Sequence, residues 1–307
     1  MVFGAKIFLL IAFCHILRFE TYTCALNESK KISSVHSAES GKYTFLVTGG
    51  YRPTQDTLTK HLVSIRGPKE IKSFGDNHFC GGSIISPKVI LTAAHCVCKR
   101  KTRFLKEPSK IIVVAGTPKR CEAANTTQIM KVDRIVRHTY YNPKTLRNDI
   151  GILVLQKPIH EDGISAQSIN LTLSLTPYST VCTVVGWGRV FYNGPFPNQA
   201  LYVNVSVFED SYCSSVTKKF AYGMFCCGDI YDHQRDSCSG DSGGPLICNG
   251  NLTGIVSFGI GCGTPNTPGY YTNVSSYIDW IRKNDSKKIR PEILSILANI
   301  FIGINVV

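Results

Sequence analysis

The chain has 307 residues, of which 43% are hydrophobic and 18% charged, with a formal net charge of +13. That apolar fraction is ordinary for a globular protein and permits burial of a sizeable core, and the length leaves room for one large domain or two modest ones. The positive balance does not by itself make a nucleic-acid binder, because no recognition motif accompanies it.

In chain order, Lys6 precedes an apolar run from Ile7 to Leu17, after which the chain turns polar. This reads as a secretory signal peptide over residues 1–25, with Thr23-Cys-Ala25 as the cleavage site. The run is too short to cross a bilayer as a helix. Residues 26–46 are polar, carry Lys30, Lys31 and several serines, show no apolar periodicity, and read as a flexible propeptide. From Val47, short β-branched runs (Ser83 to Ile85, Val89 to Thr92, Lys110 to Val114, Ile150 to Leu155, Val181 to Val185) alternate with Gly, Pro and Asn turns, an all-β signature. A single helix is predicted over Val274 to Asn284, with Tyr277, Trp280 and Ile281 on one face, and it closes the domain 47–284. No internal sequence repeat is visible.

Residues 285–307 form a basic and then apolar tail. Three readings of it stay open: a signal for a GPI anchor at the cell surface, an interfacial or partner-docking helix that associates with membrane, and an unstructured extension. The positive charge gathers in Arg66 to Lys72, Lys99 to Lys110 and the tail. Such loops are either a solvated face or an exosite that steers acidic substrates, glycosaminoglycans or membrane surfaces toward a cleft.

Thirteen cysteines behind a signal peptide point to a disulfide framework in an oxidising compartment. Seven Asn-X-Ser/Thr sequons, at Asn27, Asn125, Asn170, Asn204, Asn251, Asn273 and Asn284, suit a secreted glycoprotein, although short matches also arise by chance.

Three motifs carry chemistry. They are Thr92-Ala-Ala-His-Cys96, Asn148-Asp-Ile-Gly-Ile-Leu153 and Asp236-Ser-Cys-Ser-Gly-Asp-Ser-Gly-Gly-Pro245. A serine hydroxyl is a poor nucleophile, so it needs a base in hydrogen-bond reach and a carboxylate to orient that base. His95, Asp149 and Ser242 occur in the order that separates one fold class using this chemistry from two others. Over roughly Val47 to Asn284 the chain resembles the chymotrypsin-fold, trypsin-like serine proteases, in particular their secreted arthropod members.

The resemblance implies two six-stranded antiparallel β-barrels with a C-terminal helix. It implies a serine endopeptidase acting on protein or peptide substrates through the His95, Asp149 and Ser242 triad. The amides of Gly240 and Ser242 would form the oxyanion hole. Asp236 would be the acidic floor of a pocket for Arg or Lys, Gly259 and Gly269 its open walls, and Ser257 a neighbour of Asp149 on the substrate-binding strand. By the same resemblance Cys80 pairs with Cys96, Cys182 with Cys248, Cys213 with Cys226 and Cys238 with Cys262. Cys98 and Cys121 have no counterpart in simple trypsins, and a fifth bridge between them is expected; Cys227 is then left as a buried thiol or an intermolecular partner.

The resemblance further implies activation by cleavage before Val47-Thr-Gly-Gly-Tyr51, whose new α-amino group would pair with Asp241. Leu46 departs from the Arg or Lys usual at that bond. The activating protease therefore prefers apolar residues, or cleavage is staged from Lys42, or the protein stays a zymogen. The rival reading follows from the last case: a non-catalytic protease homologue that acts as a binding module. Partners expected otherwise are an activating protease and a protein inhibitor. No cofactor or metal is expected: the loop Thr117 to Glu122 lacks the paired acids of calcium-binding trypsins, and Pro268 stands where sodium-activated relatives carry Tyr.

Overall fold

The computed structural model describes residues 49–229 and 235–285; the proposed signal peptide, propeptide, Val47 and the tail beyond Asp285 lie outside them. Twelve strands are present: β1 Leu62–Arg66, β2 His78–Ser86, β3 Val89–Thr92, β4 Ile112–Ala115, β5 Gln128–Arg137, β6 Gly151–Leu155, β7 Val181–Gly186, β8 Leu201–Val207, β9 Met224–Gly228, β10 Pro245–Cys248, β11 Asn251–Phe258 and β12 Gly269–Asn273. β5 alternates between inside and outside, burying Met130, Val132 and Ile135. β1, β3 and β6 are instead buried along their whole length. Their outer faces are covered too, which is why β3 and β6 read in the sequence as near-continuous apolar runs, whereas β1 buries the polar Ser64 and Arg66.

The strands close into two antiparallel barrels, ordered β1-β2-β3-β6-β5-β4 and β7-β8-β9-β12-β11-β10. The second order is the first shifted by six, so the two halves share one topology with no visible repeat in sequence. Closure removes every sheet edge from solvent. A buried cluster runs from Ile65, Ile90 and Leu153 of the first barrel through Trp187 to Ile255 of the second, so the barrels share apolar core across their junction.

Chain ends strap the barrels together. Tyr51, ahead of the first barrel, exchanges backbone hydrogen bonds with Tyr202 of β8 at 2.8 and 2.9 Å. The Tyr202 hydroxyl accepts from the Leu58 amide (2.7 Å) and donates to Asp56 (2.7 Å). At the other end, a 3-10 turn Val274–Tyr277 leads into helix α3, Ile278–Asp285. The Asn273 side chain caps the turn by accepting from the Ser275 amide. α3 follows the second barrel yet packs on the first: Trp280 lies 5.5 Å from the His138 ring, and Ile281 is buried in the shared core.

The expected single helix is thus a 3-10 turn and an α-helix in series. It is also not alone. Two short helices, α1 Ala94–Val97 and α2 Asp210–Val216, have no amphipathic signal because each is too brief to show one.

Bridges Cys80–Cys96, Cys182–Cys248, Cys213–Cys226 and Cys238–Cys262 are all formed. Each typically contributes about 2–4 kcal/mol. The expected Cys98–Cys121 bridge is absent. Cys98 is a buried free thiol that ends α1 and packs with Ala94 and Tyr141. Cys121 is disulfide-bonded, but not to Cys98. Its backbone is turned toward the second barrel, where its amide donates to Asn198 Oδ1 at 2.8 Å. Cys227 is free and fully buried.

Candidate active site

His95 lies in α1, a single turn that follows directly on β3. Ala93 and Ala94 before it are fully buried, and side chains no larger than alanine let this turn sit tight against the barrel. Asp149 lies just before β6, and Asn148 turns the chain there at φ 56°. The hydrogen bonds that converge on Asp149 are complete. Oδ1 accepts from the His95 amide (2.9 Å), and Oδ2 accepts from His95 Nδ1 (2.7 Å) and Ser257 Oγ (2.6 Å). Thr272 Oγ1 donates to the Asp149 carbonyl at 2.8 Å. The carboxylate can only accept, so His95 must carry its proton on Nδ1 and present Nε2 as the free lone pair.

The Asp149 side chain is fully buried and that of His95 is 26% exposed. Burial disfavours a charged ring, but the negative charge and hydrogen bond of Asp149 outweigh it and raise the His95 pKa above its ordinary value, against an opposing pull from Lys106.

Ser242 stands on the loop between the Cys238 bridge and β10. Its carbonyl accepts from the Gly81 amide at 2.8 Å and lies 3.5 Å from Cys96 Sγ. A His95 ring nitrogen and the sulfurs of Cys80 and Cys96 all lie within 4.8 Å of one another. The Cys80–Cys96 bridge is therefore the common neighbour that brings the Ser242 loop and the His95 turn together. Because those sulfurs are bonded to each other, the cluster is not a metal site.

The same loop is cinched by Asp241, whose oxygens accept from the amides of Gly188 (2.7 Å) and Cys238 (3.0 Å). A Cβ at Gly186 or Gly188 would come within 2.0 to 2.1 Å of that carboxylate. The Gly186-Trp-Gly188 run is thus part of the site, a role that the sequence signals only as a turn. Asp241 is 2% exposed, and burial pushes its pKa up to about 6. Gly240 adopts φ +109°, which L side chains rarely reach, and a Cβ there would lie 2.7 Å from Phe196.

Asp236 is 3% exposed. Its Oδ2 accepts from the Gly263 amide at 3.1 Å, while Oδ1 has no hydrogen-bond partner among the described residues. Burial pushes its pKa up to about 7, against hydrogen bonds from Gly263 and Ser237. Added Cβ atoms at Gly259 and Gly269 would sit 3.8 and 2.7 Å from its two oxygens, so both glycines border the carboxylate. Tyr271, missed in the sequence, lines the same place: its hydroxyl would lie 3.1 Å from a Gly269 Cβ and bonds Ser237 at 3.4 Å. A buried carboxylate with an unmet acceptor beside space kept open by glycine is suited to a cationic guest.

Two six-stranded antiparallel barrels, with an Asp-held histidine from one and a cinched serine loop from the other, define the class: serine proteases of the chymotrypsin fold. Within it the chain belongs to the trypsin family, whose family model, Trypsin, matches residues 48–281. Cationic trypsin-3 of Rattus norvegicus is 35% identical over 239 residues, covering 77% of this chain and 88% of that protein. Trypsin I-P1 of Gallus gallus is 36% identical over 217 residues, covering 70% and 83%. Trypsin eta of Drosophila melanogaster is 34% identical over 240 residues, covering 77% and 87%. The protein is accordingly a trypsin-like serine protease.

Proposed function

We propose that this protease is a secreted endopeptidase that cleaves after Arg and Lys through an acyl-enzyme formed on Ser242. The observation that carries the reading is the 2.7 Å bond from His95 Nδ1 to a fully buried Asp149. It fixes the tautomer in which Nε2 takes the Ser242 proton as Oγ attacks the carbonyl carbon. His95 then returns that proton to the leaving amine, and a water repeats the sequence to release the acid. This is the family in which that division of labour was worked out, so the roles are the family's and the His95–Asp149 geometry is this chain's. Amides of Gly240 and Ser242 would receive the oxyanion.

Specificity follows from Asp236. Its unpartnered Oδ1 is the acceptor that a guanidinium or ammonium would satisfy. Buried Asp241 plays the corresponding part in activation: an α-amino group freed by cleavage before Val47 would neutralise it. Four disulfides suit export, and the exposed Asn125 and Asn170 are the better placed sequons. Asn284 is a poor one, since it is buried and donates to the Trp280 carbonyl.

The test is hydrolysis of Arg, Lys, Phe and Ala peptide amides by the chain processed to begin at Val47, with Ser242→Ala as control. Turnover of the Arg and Lys amides alone, lost in the control, is expected. No turnover above the control refutes the reading.

A further inference from the structure

Arg66 belongs by sequence to a basic surface insertion, but it is 3% exposed and closes β1 directly opposite His78 of β2. Among the described residues its hydrogen-bond partners include no carboxylate. Its Nε donates to Ser64 Oγ at 2.9 Å, its Nη2 donates to the Arg120 carbonyl at 2.9 Å, and its guanidinium lies 4.4 Å from the centre of the Phe74 ring. Ser64 and Arg66 are two apart on one strand and so face the same side. Ser64 Oγ is in turn 2.8 Å from His78 Nδ1, and His78 Nε2 is 3.1 Å from the carbonyl oxygen of Gly240.

We propose that Arg66 is a positioning residue for the oxyanion loop: as a pure donor at the head of the chain Arg66, Ser64, His78, Gly240, it imposes the His78 tautomer that holds the Gly240 carbonyl. Gly240 O can only accept, so the bond to it requires a proton on His78 Nε2. Nδ1 is then an acceptor and must receive the one hydroxyl proton of Ser64. Arg66 favours this direction: a guanidinium can only donate, so it takes one lone pair of Ser64 Oγ, and if an Nδ1 proton took the other, the buried Ser64 hydroxyl proton would have no acceptor among its described partners.

Without Arg66, Ser64 is free to rotate and accept from a proton on Nδ1. Nε2 would then turn a lone pair toward the Gly240 carbonyl, and the contact would become repulsive. The carbonyl and the amide of Gly240 flank one α-carbon at φ +109°, with Phe196 packed where a side chain would be. Displacing the carbonyl therefore re-aims the amide. His78 is kept neutral throughout: burial, with the cations of Arg120 and Arg66, pushes its pKa down to about 3. Its two tautomers are thus the alternatives, and it carries the opposite one to His95.

The inference rests on the proposed role of Gly240 in catalysis, and the experiment separates the two. The full chain, with residues 42–46 exchanged for an enteropeptidase site and cleaved before Val47, is labelled with [15N]histidine, and the His78 ring signals are assigned by their loss in His78→Phe. The unsubstituted protein is expected to show an Nε2-protonated His78, a result that needs no turnover. Arg66→Met should populate the Nδ1-protonated form and lower kcat about tenfold, less than the 100-fold or more for deleting an oxyanion donor outright, with KM for an Arg amide unchanged. Arg66→Lys keeps a donor and should restore both readouts to within about threefold.

An Nδ1-protonated His78 in the unsubstituted protein overturns the inference, even where Arg66→Met fails to fold. So does a folded Arg66→Met in which tautomer and kcat do not change together. Inactivity of the unsubstituted protein toward every amide would instead count against the proposed function, with the tautomer still measurable.

Discussion

Two buried carboxylates, Asp149 at the barrel junction and Asp236 beneath the serine loop, face the same desolvation and meet it differently. Asp149 receives three donors on its two oxygens and a fourth on its carbonyl, all from within the chain. Asp236 accepts from the Gly263 amide on Oδ2 and is further supported by Ser237, but Oδ1 has no partner among the described residues. The first is complete within the chain; the second keeps an open acceptor, which the proposed Arg or Lys guest would complete. A protein that tolerates such a gap gives up stability there in return for recognition.

The largest effect expected from breaking this contrast is at the complete site. Asp149→Asn should lower kcat by about 10,000-fold, the magnitude established for the equivalent exchange in this family, because the amide can favour the wrong His95 tautomer. Amide hydrolysis against the unsubstituted protein measures it. At the incomplete site, Asp236→Ser should reduce kcat/KM for Arg and Lys amides by roughly 200- to 5,000-fold, the equivalent of the about 3–5 kcal/mol lost when a buried ion pair is broken. The same substitution should raise stability. The folded chain holds the Asp236 proton up to about pH 7, whereas an ordinary carboxyl releases it near pH 4, so this group makes stability fall as pH rises between those values. Above pH 7, Asp236→Ser should therefore be more stable by an increment on the order of 1–4 kcal/mol and melt at a higher temperature, and near pH 4 it should not. A melting series from pH 4 to 8 decides this, and equal melting temperatures at pH 8 would remove the idea of an unmet carboxylate.

What could be read in advance divides along similar lines. β3 was predicted residue for residue, because a strand buried on both faces is an uninterrupted apolar run. The triad candidates and Asp236 lie in motifs contiguous in the chain, and the four bridges were legible only through the resemblance to trypsin-like proteases. Relations across space were not. Arg66 looked like one more exposed cation; only the convergence of Ser64, the Arg120 carbonyl and the Phe74 ring makes a buried position tolerable. Cys98 and Cys121 seemed a pair because both lie on first-barrel loops, yet Cys98 points into the Tyr141 cluster while Cys121 is hydrogen-bonded across to Asn198.

Smaller perturbations sharpen the comparison. Ser257→Ala removes one of four donors from Asp149 and should cost about 1.5–3 kcal/mol of stability and roughly tenfold in kcat, since the remaining bonds still orient His95. Denaturant titration and steady-state kinetics give both values. The smallest effect is expected from Cys98→Ala, which trims a packed thiol without touching a bridge. It should lower stability by about 1 kcal/mol, leave kcat within twofold, and leave the count of disulfides by mass spectrometry unchanged.

The straps at the two chain ends also bear on how the molecule is made. Tyr51 meets Tyr202, and Tyr277 donates to Asn148 at 3.0 Å, so each barrel is sealed by residues from the far side of the other. Contacts of such long sequence separation form only after most of the chain has been brought together, so slow folding is expected, with the second half needed before the first is finished. For the mature molecule the same weave confers tolerance of cleavage. A nick in the connection between β6 and β7 would leave two fragments each holding a piece of the other, and the pair would stay associated until the native structure itself unfolds.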